Sequence, residues 1–141
     1  MKKVLLVMIG ILAASCSGAK DTNVKRPLYE VLIQKSEGGA KVRFYEIISQ
    51  PEEFTMIKGD PELKSRVRPD AINTANFLIL SAGEKTSGGY AIGIEDVQET
   101  PDAIIVTVKE TVPGPGQVVS MGFTNPYCVV RINSKKEIVF K

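Results

Sequence analysis

The 141-residue chain contains no histidine and only two cysteines, Cys16 and Cys128. Without histidine it lacks the side chain that most often transfers protons near neutral pH and the commonest metal ligand. Cys128 lies in the apolar run PYCVVRI, where it is expected to be a small buried hydrophobe. A reactive thiol is the alternative. We therefore expect no catalytic residues, no metal site and no cofactor.

The apolar block near the start of the chain, Val4–Leu12, is also short. Its nine residues are too few for a helix that crosses a bilayer, which takes about 20. With Lys2 and Lys3 ahead of it, the block is typical of a signal peptide. Residues 12–16, LAASC, resemble a bacterial lipobox, in which lipid is attached to the cysteine, although Ala13 stands where leucine is preferred.

These features predict a lipoprotein signal peptide over residues 1–15 and a lipid anchor on Cys16. A plain signal peptide with a chance cysteine is the alternative. Two or more acyl chains hold a protein stably on a membrane without a spanning helix. The expected location is the bacterial cell envelope, on the periplasmic or surface face of the outer membrane.

The charge of the mature chain is balanced. Removal of residues 1–15 takes away Lys2 and Lys3 and no acid, so the 18 basic residues become 16 against 16 acidic ones. Nucleic-acid binding needs clustered lysine and arginine, and this neutral chain shows no basic stripe. We therefore expect no nucleic-acid partner and no electrostatic docking on anionic lipid.

The remaining chain divides into a tether and one domain. Residues 16–27 are polar and aperiodic, which indicates a flexible tether, and residues 28–141 suit a single domain. Most of the domain shows short apolar segments with period-two alternation, separated by Gly, Pro and Asn turns. This pattern predicts a mainly β fold, either a small antiparallel β-sandwich or a partly open barrel. The expected strands cover residues 29–34, 42–48, 77–82, 90–95, 104–109, 119–123, 128–132 and 137–140.

One helical segment interrupts the strands in the N-terminal half. Ser49 and Glu52 form the S-x-x-E pattern of a capping box. Phe54 and Ile57, three residues apart, would share the buried face of a short helix. A second short turn is expected over residues 60–67, where an aspartate and a proline begin it.

The glycine-rich stretch KTSGGYAIGI, Lys85–Ile94, is typical of a phosphate-binding loop only where a helix follows it. An alternating strand pattern follows instead, so the stretch is expected to be a bend that leads into a strand. Lys85 and Ser87 would not meet as a catalytic dyad, because neighbours on an extended backbone point apart. Paired carboxylates such as Glu95 and Asp96 are more typical of a solvated face.

Three loops present a stiff surface of low charge. Proline fixes φ in advance and lowers the entropy lost on binding, and tyrosine is favoured at protein interfaces. The alternative is that these residues only form tight turns and pack in the core. The candidate protein-contact positions are Ser87, Gly88, Gly89, Tyr90, Pro113, Gly114, Pro115, Gly116, Thr124, Pro126 and Tyr127.

The same three loops resemble the PrcB C-terminal domain family. Residues 83–90 match its Gly-x-x-x-Thr-Gly-Gly-Tyr turn, with Ser87 in place of threonine. Residues 113–116 match its Pro-Gly-Pro-Gly connection, and residues 124–127 match its Thr-x-Pro-Tyr. The resemblance covers about residues 76–132. It implies a non-enzymatic lipoprotein, because the type member is an accessory subunit that supports the stability of a surface subtilisin-like protease.

We therefore expect a lipid-anchored protein-binding module that serves as an accessory or stabilising subunit of a cell-envelope protease. Two alternatives remain open. The glycine-rich loops could act as the wedge of a chagasin-like peptidase inhibitor, or the protein could be a structural envelope lipoprotein. No small-molecule ligand is expected in any of these roles.

The anchor has a direct test. Replacement of the lipidated thiol by Cys16→Ser should move the protein from the membrane fraction to the soluble fraction, because the acyl chains would be lost. Immunoblots of fractionated cells measure this change. Retention of the variant on membranes that have been washed with salt and alkali would contradict an anchor at Cys16.

Overall fold

Residues 25–141 are described by a computed structural model, and within them the chain is mainly β. No helix in this range is long and apolar enough to span a membrane. The predicted signal peptide, Cys16 and most of the predicted tether lie outside the described residues. The elements are β1 (Tyr29–Lys35), β2 (Arg43–Ile48), α1 (Thr55–Gly59), a 3₁₀ helix (Ala71–Asn73), β3 (Asn76–Ala82), β4 (Lys85–Ser87), β5 (Ala91–Glu99), β6 (Ala103–Thr111), β7 (Met121–Thr124), β8 (Tyr127–Ile132) and β9 (Glu137–Phe140).

The centre of the fold is a four-stranded antiparallel sheet in the order β1-β8-β3-β2. Its two middle strands, β3 and β8, are apolar on both faces. Leu78 and Val130 pair on one face, while Phe77 and Val129 lie on the other, and all four side chains are buried. A strand that is covered on both sides carries a continuous apolar run instead of an alternating one. These two strands are therefore held in place from both directions.

A second sheet, in the order β5-β6-β9, covers one face of the central sheet. The two sheets enclose one apolar core, so the predicted mainly β sandwich is confirmed. β6 and β9 pair in parallel, which departs from the all-antiparallel prediction. The reason is that the turn after β8 carries the chain across to the second sheet instead of forming a hairpin with β8. The buried residues of this core are Leu78, Leu80, Ala82, Ile92, Ile104, Val106, Cys128, Val130, Ile132 and Ile138.

The segment between β2 and β3 covers the opposite face of the central sheet. Phe54 and Ile57 are buried there, as predicted, and the ring of Phe54 stacks on that of Phe77 with centroids 4.9 Å apart. Leu63, Val67 and other apolar residues of this segment complete a second core. The fold thus has three layers, and the central sheet is the middle one.

The start of the helical segment differs in detail from the prediction. The Glu53 carboxylate accepts hydrogen bonds from the backbone N–H groups of Ser49 and Gln50, both at 3.1 Å, so it takes the role predicted for Glu52. A turn precedes α1, which itself spans only Thr55–Gly59. The Asp60 carboxylate accepts from the N–H groups at positions 62 and 63, which confirms the predicted second turn. The 3₁₀ helix was not predicted.

The sandwich has two ends that differ in what they carry. At the end where β1 begins, the Asn133 N–H donates to the Leu28 carbonyl at 2.8 Å, and the Asn133 side chain donates to the Pro27 carbonyl at 2.7 Å. We call this the entry end, because the chain enters the domain there. The opposite, distal end carries three loops, which comprise residues 36–42, 83–90 and 112–126. An ion pair between Arg43 and Glu110 joins the two sheets at this distal end.

Candidate protein-binding surface

The glycine-rich stretch forms a bend between two strands, as predicted. β4 precedes Gly88 and Gly89, and β5 follows Tyr90. Gly89 has a φ of +86°, in the left-handed region that favours glycine. No helix begins here, so the dipole that a nucleotide loop uses is missing from this site. The bend is one of the distal loops.

The Pro-Gly-Pro-Gly connection packs directly on this bend. A Cβ atom on Gly89 would lie 2.8 Å from the Val119 side chain and 2.9 Å from that of Pro113. The Gly88 N–H donates to the Ser120 carbonyl at 3.0 Å, and a Cβ on Gly88 would lie 2.3 Å from the Ser120 hydroxyl. The two glycines are therefore needed for close contact between the loops as well as for the turn.

A short pair of strands completes the contact between the distal loops. β4 pairs with β7, and the buried Thr124 hydroxyl donates to the Ser87 carbonyl at 2.8 Å. Gly114 and Gln117 close the Pro-Gly-Pro-Gly turn, because the Gly114 N–H donates to the Gln117 side-chain oxygen at 2.9 Å and the Gln117 N–H donates to the Gly114 carbonyl at 3.1 Å. Pro115 and Gly116 are exposed at its tip. The structure thus unites the predicted positions at 87–89, 113–116 and 124.

The two predicted tyrosines lie in different places. The half-buried ring of Tyr90 has the Lys85 ammonium 5.5 Å from its centroid, beside the bend. Tyr127 packs instead against the loop after β1, where a Cβ on Gly38 would lie 3.1 Å from its ring. There it lines an apolar groove with Phe44 and Met56. Pro126 is buried, so neither Pro126 nor Tyr127 belongs to the surface around Tyr90.

The exposed apolar side chains gather at the distal end. Eight large apolar residues are exposed among residues 25–141, and five of them lie there. Met121 is 95% exposed and Phe123 is 70% exposed, although the sequence indicated that both belong to a strand face. The reason is that, within residues 25–141, β7 pairs with the three-residue β4 in a separate two-stranded sheet, which leaves these two side chains exposed. We call Val42, Val112, Val118, Met121 and Phe123 the distal apolar group.

A polar cluster braces the base of this surface. The Arg43 guanidinium donates to the Glu110 carboxylate at 2.6 Å, and the Tyr45 hydroxyl donates to the same oxygen at 2.9 Å. Burial alone would raise the pKa of Glu110, but these hydrogen bonds and the Arg43 charge outweigh it and lower that pKa. Glu110 is therefore ionised near neutral pH, and the two sheets stay linked below the loops.

Three candidate chemical features can be examined in the part of the chain that the structure describes: the Cys128 thiol, the Ser87–Lys85 pair and groups of metal ligands. Cys128 is fully buried, and burial raises the pKa of its thiol to about 11, so the thiolate that a reactive cysteine needs is suppressed. The Ser87 hydroxyl donates to the Gly88 carbonyl and not to Lys85. No group of three metal-ligating side chains occurs within residues 25–141.

Comparison with known proteins gives one match. The family model described as PrcB C-terminal matches residues 77–133, which run from β3 to just past β8. This confirms, for that part of the chain, the resemblance carried by the three loop motifs. No curated protein and no solved structure matches the chain.

Substitution of two glycines with similar φ angles tests whether the contact between the glycine bend and the Pro-Gly-Pro-Gly connection stabilises the distal end. Gly89 and Gly116 have φ of +86° and +73°, but a Cβ on Gly116 would meet nothing within 4 Å. Gly116→Ala should therefore cost only the backbone strain, about 1 kcal/mol. Gly89→Ala should cost roughly 1–3 kcal/mol more, because its methyl group would displace Pro113 and Val119.

Urea denaturation of both variants measures the difference in the free energy of unfolding. Equal losses of stability in the two variants would show that the bend and the Pro-Gly-Pro-Gly connection do not support each other.

Proposed function

We propose that this protein, whose residues 77–133 match the PrcB C-terminal family, is a non-enzymatic lipid-anchored subunit that binds a cell-envelope protease. The surface that makes the contact is the distal apolar group. The observation that carries the proposal is the gathering of exposed apolar side chains at one end of an otherwise well-buried domain. Exposed apolar groups of this kind mark sites of protein interaction.

The position of this surface suits a tethered protein. Residues 25–28 join the domain at the entry end, where Asn133 holds the backbone of Pro27 and Leu28. The distal apolar group lies at the opposite end of both sheets. A lipid on Cys16, attached through the tether, would hold the entry end toward the membrane. The distal loops would then face away from that membrane, toward another protein.

The surface is also stiff. Pro113 and Val119 are in contact with Gly89, and the neighbouring Ser120 carbonyl is hydrogen-bonded to Gly88. Proline restricts the unbound loop, and these contacts restrict it further. Less conformational entropy is then lost when a partner binds, so a modest apolar surface can support a stable complex.

The family supports a protease as the partner. The match to the PrcB C-terminal family suggests a domain associated with a protease complex, and it spans the bend, the Pro-Gly-Pro-Gly connection and β7. An inhibitory role is the second candidate, because three loops at one end of a small β-domain are the arrangement that a wedge-type peptidase inhibitor uses. The two roles differ in their effect on the partner, since a stabilising subunit preserves activity and an inhibitor removes it.

The proposal predicts that Met121→Ser/Phe123→Ser abolishes capture of an envelope peptidase. Both side chains are exposed, so the double variant should fold normally, and the loss of two apolar contacts at a binding hot spot weakens affinity by roughly 30-fold. Val31→Thr/Val139→Thr is the matched control, because it removes two exposed apolar side chains outside the distal group. The wild type and each variant are purified from crosslinked cell membranes. The proteins that are captured with them are identified by mass spectrometry.

The expected result is enrichment of a peptidase with the wild type and the control, and its loss with the distal variant. Its half-life and activity, measured with and without this chain, then separate a stabilising subunit from an inhibitor. Identical captured proteins for all three chains would overturn the proposed binding surface.

A further inference from the structure

The entry end contains a second feature that the distal surface does not explain. A polar cavity of about 200 Å³ opens there, and three arginines are among the residues that line it. Since a water molecule takes roughly 30 Å³ of liquid volume, this space accommodates a phosphate group together with waters. The cavity is lined by Arg26, Arg68, Asp70, Ala71, Thr74, Ala75, Arg131 and Asn133.

The three arginines come from distant parts of the sequence. Arg26 precedes β1, Arg68 precedes the 3₁₀ helix, and Arg131 belongs to β8. The fold gathers them although the mature chain has no excess of positive charge. One carboxylate, that of Asp70, also lines the cavity, and it pairs with Arg68 at 3.3 Å. A second carboxylate, that of Glu30, pairs with Arg131, so the three arginines are set against two carboxylates and one positive charge remains in excess.

Arg131 supplies the most specific sign of a missing partner. One of its terminal nitrogens donates to the Glu30 carboxylate. Its Nε is buried and has no hydrogen-bond partner in the described part of the chain. Buried donors are almost always paired, because an unpaired one loses its hydration without compensation. Arg131 also lines the cavity, so an acceptor bound there lies beside this side chain and pairs with the N–H group once the guanidinium turns toward it.

The chemistry of the cavity selects the class of acceptor. Guanidinium groups are planar and carry several donors, which suits the oxygens of a phosphate better than a single point charge does. We propose that this cavity binds a phosphate-bearing anion. The source is either a soluble phosphate or the headgroup of an anionic phospholipid. Pro27, where the tether joins the domain, lies next to the cavity. The lipid headgroup as a source therefore rests on the proposed anchoring to a membrane. Binding of the anion itself does not depend on that anchoring.

The test uses the full chain in detergent and follows the Arg131 Nε–H resonance by NMR. One titration adds inorganic phosphate, with sodium chloride of equal ionic strength as its blank. A second adds phosphatidylglycerol to the micelles, with phosphatidylcholine as its blank. A saturable shift of this resonance in either titration, absent from its blank, is the expected result.

Two double variants distinguish binding at the cavity from a general effect of the protein's positive charge. Arg26→Gln/Arg68→Gln removes two lining arginines and should weaken binding roughly tenfold or more, since each charged hydrogen bond contributes strongly. Lys25→Gln/Lys64→Gln removes the same charge from residues that do not line the cavity, and it should bind as the wild type does. Circular dichroism checks that both variants fold.

The outcomes are distinct. Saturation by inorganic phosphate alone supports a site for a soluble phosphate, and saturation by phosphatidylglycerol alone supports a site for a lipid headgroup. No saturable shift with either probe would overturn the proposal. Equal weakening in the two double variants would overturn it as well, because the effect would then come from overall charge.

Discussion

The burial of β3 and β8 on both faces is the constraint on which the rest of the structure depends. Because these strands pair in the middle of the central sheet, each apolar side chain on them has a layer to pack against. One layer is the second sheet, and the other is the segment between β2 and β3. Removal of either layer would expose half of the apolar surface of the central strands. The three layers therefore stabilise one another. The strands that they hold in place also fix the positions of the loops at both ends.

The positions of the loops lead to the function that we propose. The chain after β3 leaves the central sheet at the distal end, forms the glycine bend, and returns there through β7 before it enters β8. This path brings together a glycine turn, a proline-rich connection and the exposed β4–β7 pair. All three lie at the distal end of the buried strands β3 and β8. The result is a stiff apolar surface opposite the point where the chain enters. Stiffness, exposure and distance from the entry end are the properties that a tethered binding module needs.

The sequence predicted most of the elements, because short-range periodicity reflects which residues face a core. It identified the strand that carries Cys128, Val130 and Ile132, yet Val129 between them is also buried, since a second layer covers the other face. The three-residue β4 escaped prediction because it is defined by pairing with β7 and not by an apolar pattern. The exposure of Met121 and Phe123 was missed for a related reason, since alternation shows that residues share a face but not whether anything covers it. The cavity at the entry end depends on arginines far apart in the chain, and no local pattern reports such a cluster.

The central claim is that β3 and β8, which are covered on both faces, form a rigid scaffold. The distal loops are attached to this scaffold and are not covered by another layer. Native-state hydrogen exchange of the full chain tests it most directly, because amides that open only by global unfolding exchange last. The account predicts that the amides of residues 78–80 and 129–132 exchange at the rate of global unfolding. Those of residues 116–122, at the distal tip, should exchange orders of magnitude sooner. If the amides of β3 and β8 exchanged together with those of the distal tip, the central strands would not be the rigid base of the fold, and the account would be wrong.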